Sequence, residues 1–366
     1  MSDPVETVLV TAASGTNTGT QVMHALMMLP DKYRLVVTNM EPNFLGQYQV
    51  GCSYVVPPAS SPDYIEKILE ICRQEKVNYL VPGSEPELNA LSTQANQINA
   101  SNTTLLANNP AVIELCMDKV RTVDFLRQKG FPFARSLALD LHIGPDNIDQ
   151  EATDILKQLS PPLVIKPYRN TGGSKGIHLV QSKAELIAAL SRLSQNDAGS
   201  YMLQEYEGSA EEEYTVGVMS DPNGNAFSCF ALKRLVNSTL TRLLHIPNRI
   251  KERITDDYLT ISTGISQGWV DDFPEVRHFC IEVAQALGST GPINIQCRKT
   301  PYGIIIFEIN PRFSGTTSIR ALCGHNDPDL IIRSRKPGPP MTQVPYKHGL
   351  VLRTLQNIFM EGIEPA

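Results

Sequence analysis

The chain has 366 residues, a formal net charge of -6, 42% hydrophobic residues and 19% charged residues. That length allows two or three domains of roughly 100–200 residues each, and the apolar share gives each a core. The acidic balance excludes a generic nucleic-acid or anionic-membrane binder, which carries a basic stripe. No apolar run approaches the roughly 18–20 residues of a membrane span.

Val8-Leu9-Val10 predicts a short buried strand, Thr11 to Gly19 a polar loop of small residues, and Thr20 to Leu29 a helix. Tyr33 to Thr38 predicts a second strand. Asp63 to Lys76 predicts an amphipathic helix, with Ile65, Ile68, Leu69 and Cys72 at helical spacing. Tyr79-Leu80-Val81 predicts a third strand ending in the loop Pro82-Gly83-Ser84-Glu85. Strand–helix alternation implies an α/β domain with a parallel sheet, over residues 1–108. The loop Thr11–Gly19 places Gly15 and Gly19 outside the G-x-G-x-x-G pattern, which argues against a dinucleotide site. Glu85 and Glu87 either face a substrate or cap the helix that follows.

Asp118 to Lys129 predicts a helix closed by Gly130 and Pro132, and Leu163 to Pro167 a strand. The loop Asn170–Gly176 is rich in glycine, follows Lys166 and leads into a short strand at Ile177–Val180. With no helix after it, this loop is neither a Walker loop nor a dinucleotide fingerprint. It reads as a flap whose backbone N–H groups approach an anion, with Lys166 and Lys175 offsetting charge. Lys183 to Leu193 predicts a helix. Met202–Tyr206, Glu213–Met219 and Phe227–Val236 predict strands, and Phe273–Leu287 predicts another helix. Strands with fewer helices imply an α+β body. Its expected divisions are 109–200, 201–335 and a tail at 336–366 that packs on the body.

The most informative stretch is Ile304–Arg312. Strand alternation puts Glu308, Asn310 and Arg312 on one face and sends Phe307 and Ile309 into a core. A carboxylate, a carboxamide oxygen and a guanidinium in a row suit a divalent cation and a phosphate: Mg²⁺ takes hard oxygen ligands, and Arg meets phosphate with a two-pronged fork. Pro292–Cys297 also alternates, and the turn Thr300–Gly303 predicts a hairpin that sets Gln296 beside Glu308. Arg234, Arg242, Arg249 and Arg320 are further candidates for holding an acyl phosphate or a carboxylate. His245 receives no role.

The ordered set resembles the ATP-grasp superfamily, and most of all the single-copy relatives of the carbamoyl-phosphate synthetase large chain. The resemblance runs from the first domain to about residue 335. It implies a Rossmann-like first domain that does not bind NAD, followed by an ATP-grasp fold of two α+β lobes holding ATP between them. By the resemblance, Lys119 and Lys166 contact the nucleotide, Thr171, Gly172 and Gly173 form the flap, Gln204, Glu205 and Tyr206 hold adenine, and Glu213 holds the ribose. Gln296, Glu308 and Asn310 match the ligands of Mg²⁺ (or Mn²⁺), and Arg312 matches the phosphate-binding partner. Arg234 lies near the family's acceptor site. Gln296 stands where many members carry Glu or Asp, and the single grasp unit argues against a complete carbamoyl-phosphate synthetase.

The implied activity is an ATP-dependent ligase that joins a small carboxylate to an amine through an acyl phosphate, with Lys166, Arg234 and Arg312 in the chemistry. The alternatives are phosphoryl transfer or carboxyphosphate formation without amide formation, and a nucleotide-binding module without turnover. The partners implied are small molecules, with no nucleic acid and no membrane, and a homodimer. Seven dispersed cysteines without a CxxC pair, and no basic-then-apolar pattern at Met1–Glu6, imply the cytoplasm.

Overall fold

The computed structural model describes residues 5–139, 141–169, 176–196 and 199–354. The first domain carries a five-stranded parallel sheet in the order Ser53–Val55, Tyr33–Asn39, Glu6–Val10, Tyr79–Val81, Thr104–Leu105. Val8, Leu9, Val10, Leu80 and Val81 have no exposed surface, as expected for strands covered by helices on both faces. The chain first adds strands on one side of Glu6–Val10 and then returns to its other side. The crevice beyond the carboxyl ends of Glu6–Val10 and Tyr79–Val81 is therefore the switch point where such sheets receive ligands. The loops there are packed backbone to backbone. A Cβ on Gly83 would lie 1.8 Å from the Thr11 carbonyl oxygen, and one on Gly19 would lie 2.0 Å from it.

The small lobe is a four-stranded sheet in the order Ser136–Leu139, Tyr201–Glu205, Leu163–Pro167, His178–Val180. The helices Ile148–Gln158 and Lys183–Asn196 share one apolar cluster with it. Tyr201–Glu205 is a central strand of this sheet, so the expected division at residue 200 falls one strand early. Such pairings join residues far apart in the chain, and local patterning does not reveal them.

The large lobe is an antiparallel sheet in the order Gly303–Asn310, Pro292–Thr300, Glu213–Ser220, Ala226–Arg234, Gly268–Val270, Gly349–Val351. The tail thus supplies an edge strand of the body. The helix Pro274–Leu287 covers one face through Val276, Cys280, Val283 and Ala284. That face carries Val216, Val218, Ile293 and Ile295, all fully buried, each worth about 1.5–3 kcal/mol in removed apolar surface. The helices Pro110–Met117 and Lys119–Lys129 send Val112, Cys116 and Leu126 into the same cluster. Among the described residues no helix is long and apolar enough to cross a membrane.

The expected hairpin forms, with Gln296 opposite Glu308. The alternation expected along it does not hold. The next pair in register is Cys297 with Ile306, which leaves Phe307 as the extra residue of a β-bulge. Ile304, Ile306 and Ile309 are buried in the core, while Ile305, Phe307, Glu308 and Asn310 line a cleft. Phe307 therefore does not enter the core with Ile309. The strand also ends at Asn310, and the Arg312 N–H donates to the Asn310 carbonyl at 2.9 Å in a turn. Arg312 reaches the cleft by that turn and not by strand alternation.

Candidate functional site

The cleft has a volume of about 1090 Å³ and is lined by the first domain, the small lobe and the large lobe together. Among ordinary ligand pockets of roughly 300–1,000 Å³ it is large, with room for more than one small molecule. Lys119, Lys166, Gln204, Glu205, Tyr206, Glu213, Arg234, Gln296, Glu308, Asn310 and Arg312 all line it. Thr171, Gly172, Gly173 and Lys175 lie outside the described residues.

Lys166 stands near the end of the strand Leu163–Pro167 and is 8% exposed. Its Nζ donates to Gln204 Oε1 at 2.7 Å and to the Phe307 carbonyl at 3.1 Å, both neutral acceptors. Burial pushes its ammonium down to about 8; Glu308 pulls it back up and Lys119 pushes it further down. A buried cation held only by neutral oxygens is a strong candidate for an anion's partner. Lys119 begins the helix Lys119–Lys129, with Nζ 3.6 Å from Glu308 Oε1.

Glu308 opens 26% of its side-chain surface to the cleft. Burial raises its carboxyl, and Lys119, Lys166 and Arg312 together overcome that and hold it below the usual range. Gln296 Nε2 donates to Glu308 Oε2 at 2.9 Å, so as oriented Gln296 braces the carboxylate with its amide nitrogen. Asn310 Oδ1 lies 3.4 Å from Arg312 Nη2. No group of three or more His, Cys, Asp or Glu suited to a metal occurs among the described residues. One carboxylate flanked by amide oxygens fits Mg²⁺ that arrives with phosphate oxygens, and does not fit an all-protein cage.

The far end of the cleft is built differently. Glu213 is 1% exposed, and both its oxygens are taken. Oε1 accepts from Arg234 Nη1 and Ser262 Oγ, each at 2.7 Å. Oε2 accepts from Arg298 Nε at 3.1 Å and Nη2 at 2.8 Å. Burial raises this carboxyl and the two guanidiniums more than reverse it. Arg234 Nη2 further donates to the carbonyls of Thr263 and Ile265, which fixes the segment of the cleft wall at Thr263–Ser266. Only its Nε is without a partner. Glu205 accepts from the Ser160 N–H and from Arg253, and the Tyr206 hydroxyl donates to the Thr260 carbonyl.

Of the further candidates, Arg320 is fully buried against Asp327 and Asn294, and Arg249 pairs with Glu185. Exposed His245 stacks on Tyr258 at 4.3 Å. These three, and Arg242, do not line the cleft. One residue and one pairing escaped the sequence reading. Arg298 lies two residues beyond Gln296 on the same strand, and the period-two rule that found Gln296 would have found it. The pairing of Glu85 with Arg312, Nη2 to Oε1 at 2.6 Å, joins residues 227 apart and has no local signal.

Residues 262–358 match the family described as ATP-grasp in the biosynthetic pathway with Ter operon, and residues 8–106 match the PylC-like, N-terminal domain. Two separate segments of the chain, each about a quarter of its length, thus resemble ATP-grasp enzymes and their N-terminal domains. The carbamoyl phosphate synthase large chain of Pseudarthrobacter chlorophenolicus is 24% identical over 315 residues, 84% of this chain and 26% of that protein. The chain thus spans about a quarter of the length of the curated relatives it matches. Among solved structures, the biotin carboxylase domain of Hydrogenobacter thermophilus 2-oxoglutarate carboxylase, in complex with MgADP, ADP and bicarbonate, superposes with a TM-score of 0.62. The identity is 18%, over 92% of this chain and 71% of that one. D-alanine–D-alanine ligase from Bacillus anthracis gives a TM-score of 0.56 at 16% identity, over 90% of this chain and 97% of that one. These likenesses establish the ATP-grasp fold.

Proposed function

We propose that the protein is an ATP-dependent ligase that forms a C–N bond between a small carboxylate and an amine. The observation that carries this reading is a single cleft shared by a cation-rich wall and the switch-point loops of the first domain. The wall holds Lys119, Lys166, Glu308, Asn310 and Arg312, and the loops bring Asn17, Gly83, Ser84 and Glu85. The named activities of the similar structures, a carboxylase domain and a ligase of two D-alanines, support it.

In this reading the nucleotide lies between the lobes, with adenine against Gln204–Tyr206 and the polyphosphate against Lys119 and Lys166. Glu308, with the amides of Asn310 and Gln296, would hold Mg²⁺ (or Mn²⁺), which would supply charge neutralisation to the polyphosphate. A carboxylate oxygen of the acceptor attacks the γ-phosphorus, forming a C–O–P linkage and releasing ADP. The amine nitrogen then attacks the carbonyl carbon and loses a proton, and the C–O bond breaks to release phosphate. Lys166 and Arg312 offset the charge that develops on the transferring group, and the chain contributes mainly by positioning and electrostatics. Glu213 acts through Arg234 and Arg298, which it orients, because its own acceptor capacity is filled. The flap Thr171–Gly173 is assigned to cover the phosphates. A homodimer in the cytoplasm, acting on free small molecules, is the proposed setting.

The test is ADP release over pairs of carboxylic acids and amines, with the product mass confirmed. Amine-dependent release with a condensed product is expected. Release without any amine favours phosphoryl transfer, and Mg·ATP binding without release for any pair favours the nucleotide-binding module.

A further inference from the structure

Glu85 is the first residue of the helix Glu85–Thr93 in the first domain, and Arg312 follows the edge strand Gly303–Asn310 of the large lobe. Arg312 Nη2 donates to Glu85 Oε1 at 2.6 Å, and its Nη1 donates to the Phe313 carbonyl at 3.0 Å. The two side chains are 18% and 14% exposed, so the pair is only partly screened by water. The same guanidinium ends the row Glu308–Asn310 and is the group the ligase reading sets against the terminal phosphate.

One edge of a guanidinium does not serve two anions at full strength. Its strong contacts are short, in-plane and charge-assisted, and a phosphate oxygen on Nη2 displaces the carboxylate already there. While Glu85 stays, its negative charge also opposes the incoming phosphate across the same cleft. The first domain offers no replacement cation: among its described residues that line the cleft there is no Lys, Arg or His. Breaking the pair therefore leaves Glu85 without a counter-ion from its own domain among the described residues, and that cost weighs against whatever draws Arg312 away.

We propose that Glu85 is a positioning residue that holds Arg312 across the cleft and yields it to the terminal phosphate of a nucleoside triphosphate. Loading of a triphosphate, and not of a diphosphate, then breaks this one contact across the cleft, while the packed interface between the first domain and the large lobe stays in place. The exchange also releases Asn310 Oδ1 from its 3.4 Å contact with Arg312, freeing an oxygen on the metal wall. This inference rests on the ATP reading of the cleft.

The experiment is titration calorimetry on the full chain with the Mg²⁺ complexes of β,γ-methylene-ATP and of ADP. Glu85→Gln is expected to bind the triphosphate analogue about five- to tenfold tighter than the unsubstituted protein, the scale of one partly buried charge pair. ADP affinity is expected to stay within about twofold, since ADP lacks the competing group. Glu85→Asp, which keeps the charge, is expected to bind both nucleotides as the unsubstituted protein does. In an Arg312→Gln background the Glu85→Gln gain is expected to vanish. A purely structural role for Glu85 would shift both nucleotides together. Unchanged or weaker binding of the analogue by Glu85→Gln, an equal shift for both nucleotides, or a gain that persists without Arg312 overturns the proposal. A melting curve checks that Glu85→Gln is folded; should it not fold, Glu85→Ala takes its place with the same expectations. If the unsubstituted protein binds neither nucleotide, the ATP reading itself is overturned and this inference falls with it.

Discussion

Lys166 makes the proposed nucleotide site a titrating site. Its ammonium is buried, and its hydrogen bonds go to an amide oxygen and a backbone carbonyl. Burial lowers it from 10.5 to about 8, against the pull of Glu308. At 1.36 kcal/mol per unit, that shift corresponds to about 3 kcal/mol of stability withheld below pH 8. The sign follows from proton binding. Between about pH 8 and 10.5 the unfolded chain holds more protons, so this cost lapses as pH rises through that window. A polyphosphate beside Lys166 favours the charged form and raises its pKa, so binding takes up a proton when the free lysine is neutral. Affinity for Mg·β,γ-methylene-ATP is then flat below about pH 7 and falls about tenfold between roughly pH 7 and 9. Uptake is about half a proton near pH 8 and approaches one near pH 9. Calorimetry in two buffers of different ionisation enthalpy reads both quantities. Lys166→Met is expected to bind more weakly, show no uptake and unfold at a higher temperature at pH 7. Flat affinity up to pH 9.5 with no proton uptake would refute the reasoning, since it means either that Lys166 meets no phosphate or that its ammonium is not desolvated.

Glu308→Gln removes the one carboxylate of the proposed metal wall. It is expected to abolish the Mg²⁺-dependent gain in nucleotide affinity and to cut ADP release by about a hundredfold or more, with folding intact; nucleotide titrations with and without Mg²⁺ and a melting curve check this. Arg298→Leu leaves Glu213 fully buried with one of its two guanidiniums gone. A loss of about 3–5 kcal/mol in urea unfolding is expected, and a loss below about 1 kcal/mol would show that the pair is not load-sharing as drawn.

Much of this fold was readable because apolar runs and helical spacing are local. The strands Tyr79–Val81, Leu163–Pro167 and Glu213–Ser220 and the helix Tyr64–Glu75 all appear where the pattern expects them, within a residue or so. The lobe boundary did not, because Tyr201–Glu205 is assigned by its partners Leu163–Pro167 and Ser136–Leu139. Helices such as Pro110–Met117 and Asp327–Ser334 begin at Asn109 and Asn326, whose side chains cap them. Those cap-then-proline signals were present and not used. Of the site, the residue types on the strands were legible and their contacts were not. Nothing near Glu85 or Arg312 in the chain announces the other, and nothing near Glu213 shows that it is filled by two arginines.

The bulge at Phe307 explains why the most informative stretch was also misread. Along an unbroken strand, Ile304 and Ile306 would share a face with Glu308 and Asn310. Either two isoleucines would then face the cleft or a carboxylate would enter a core made of Ile293, Ile295 and Cys297, and an unpaired buried charge is by far the worse outcome. One inserted residue resolves the conflict by resetting the alternation between Ile306 and Glu308. The inserted residue is itself part of the site. Its carbonyl accepts from Lys166 Nζ, and its ring lies 5.8 Å from the Arg298 guanidinium. The small lobe's lysine is thereby tied to the strand that carries Glu308, and a deletion of Phe307 would disturb the core, the lysine and the Glu308 carboxylate at once.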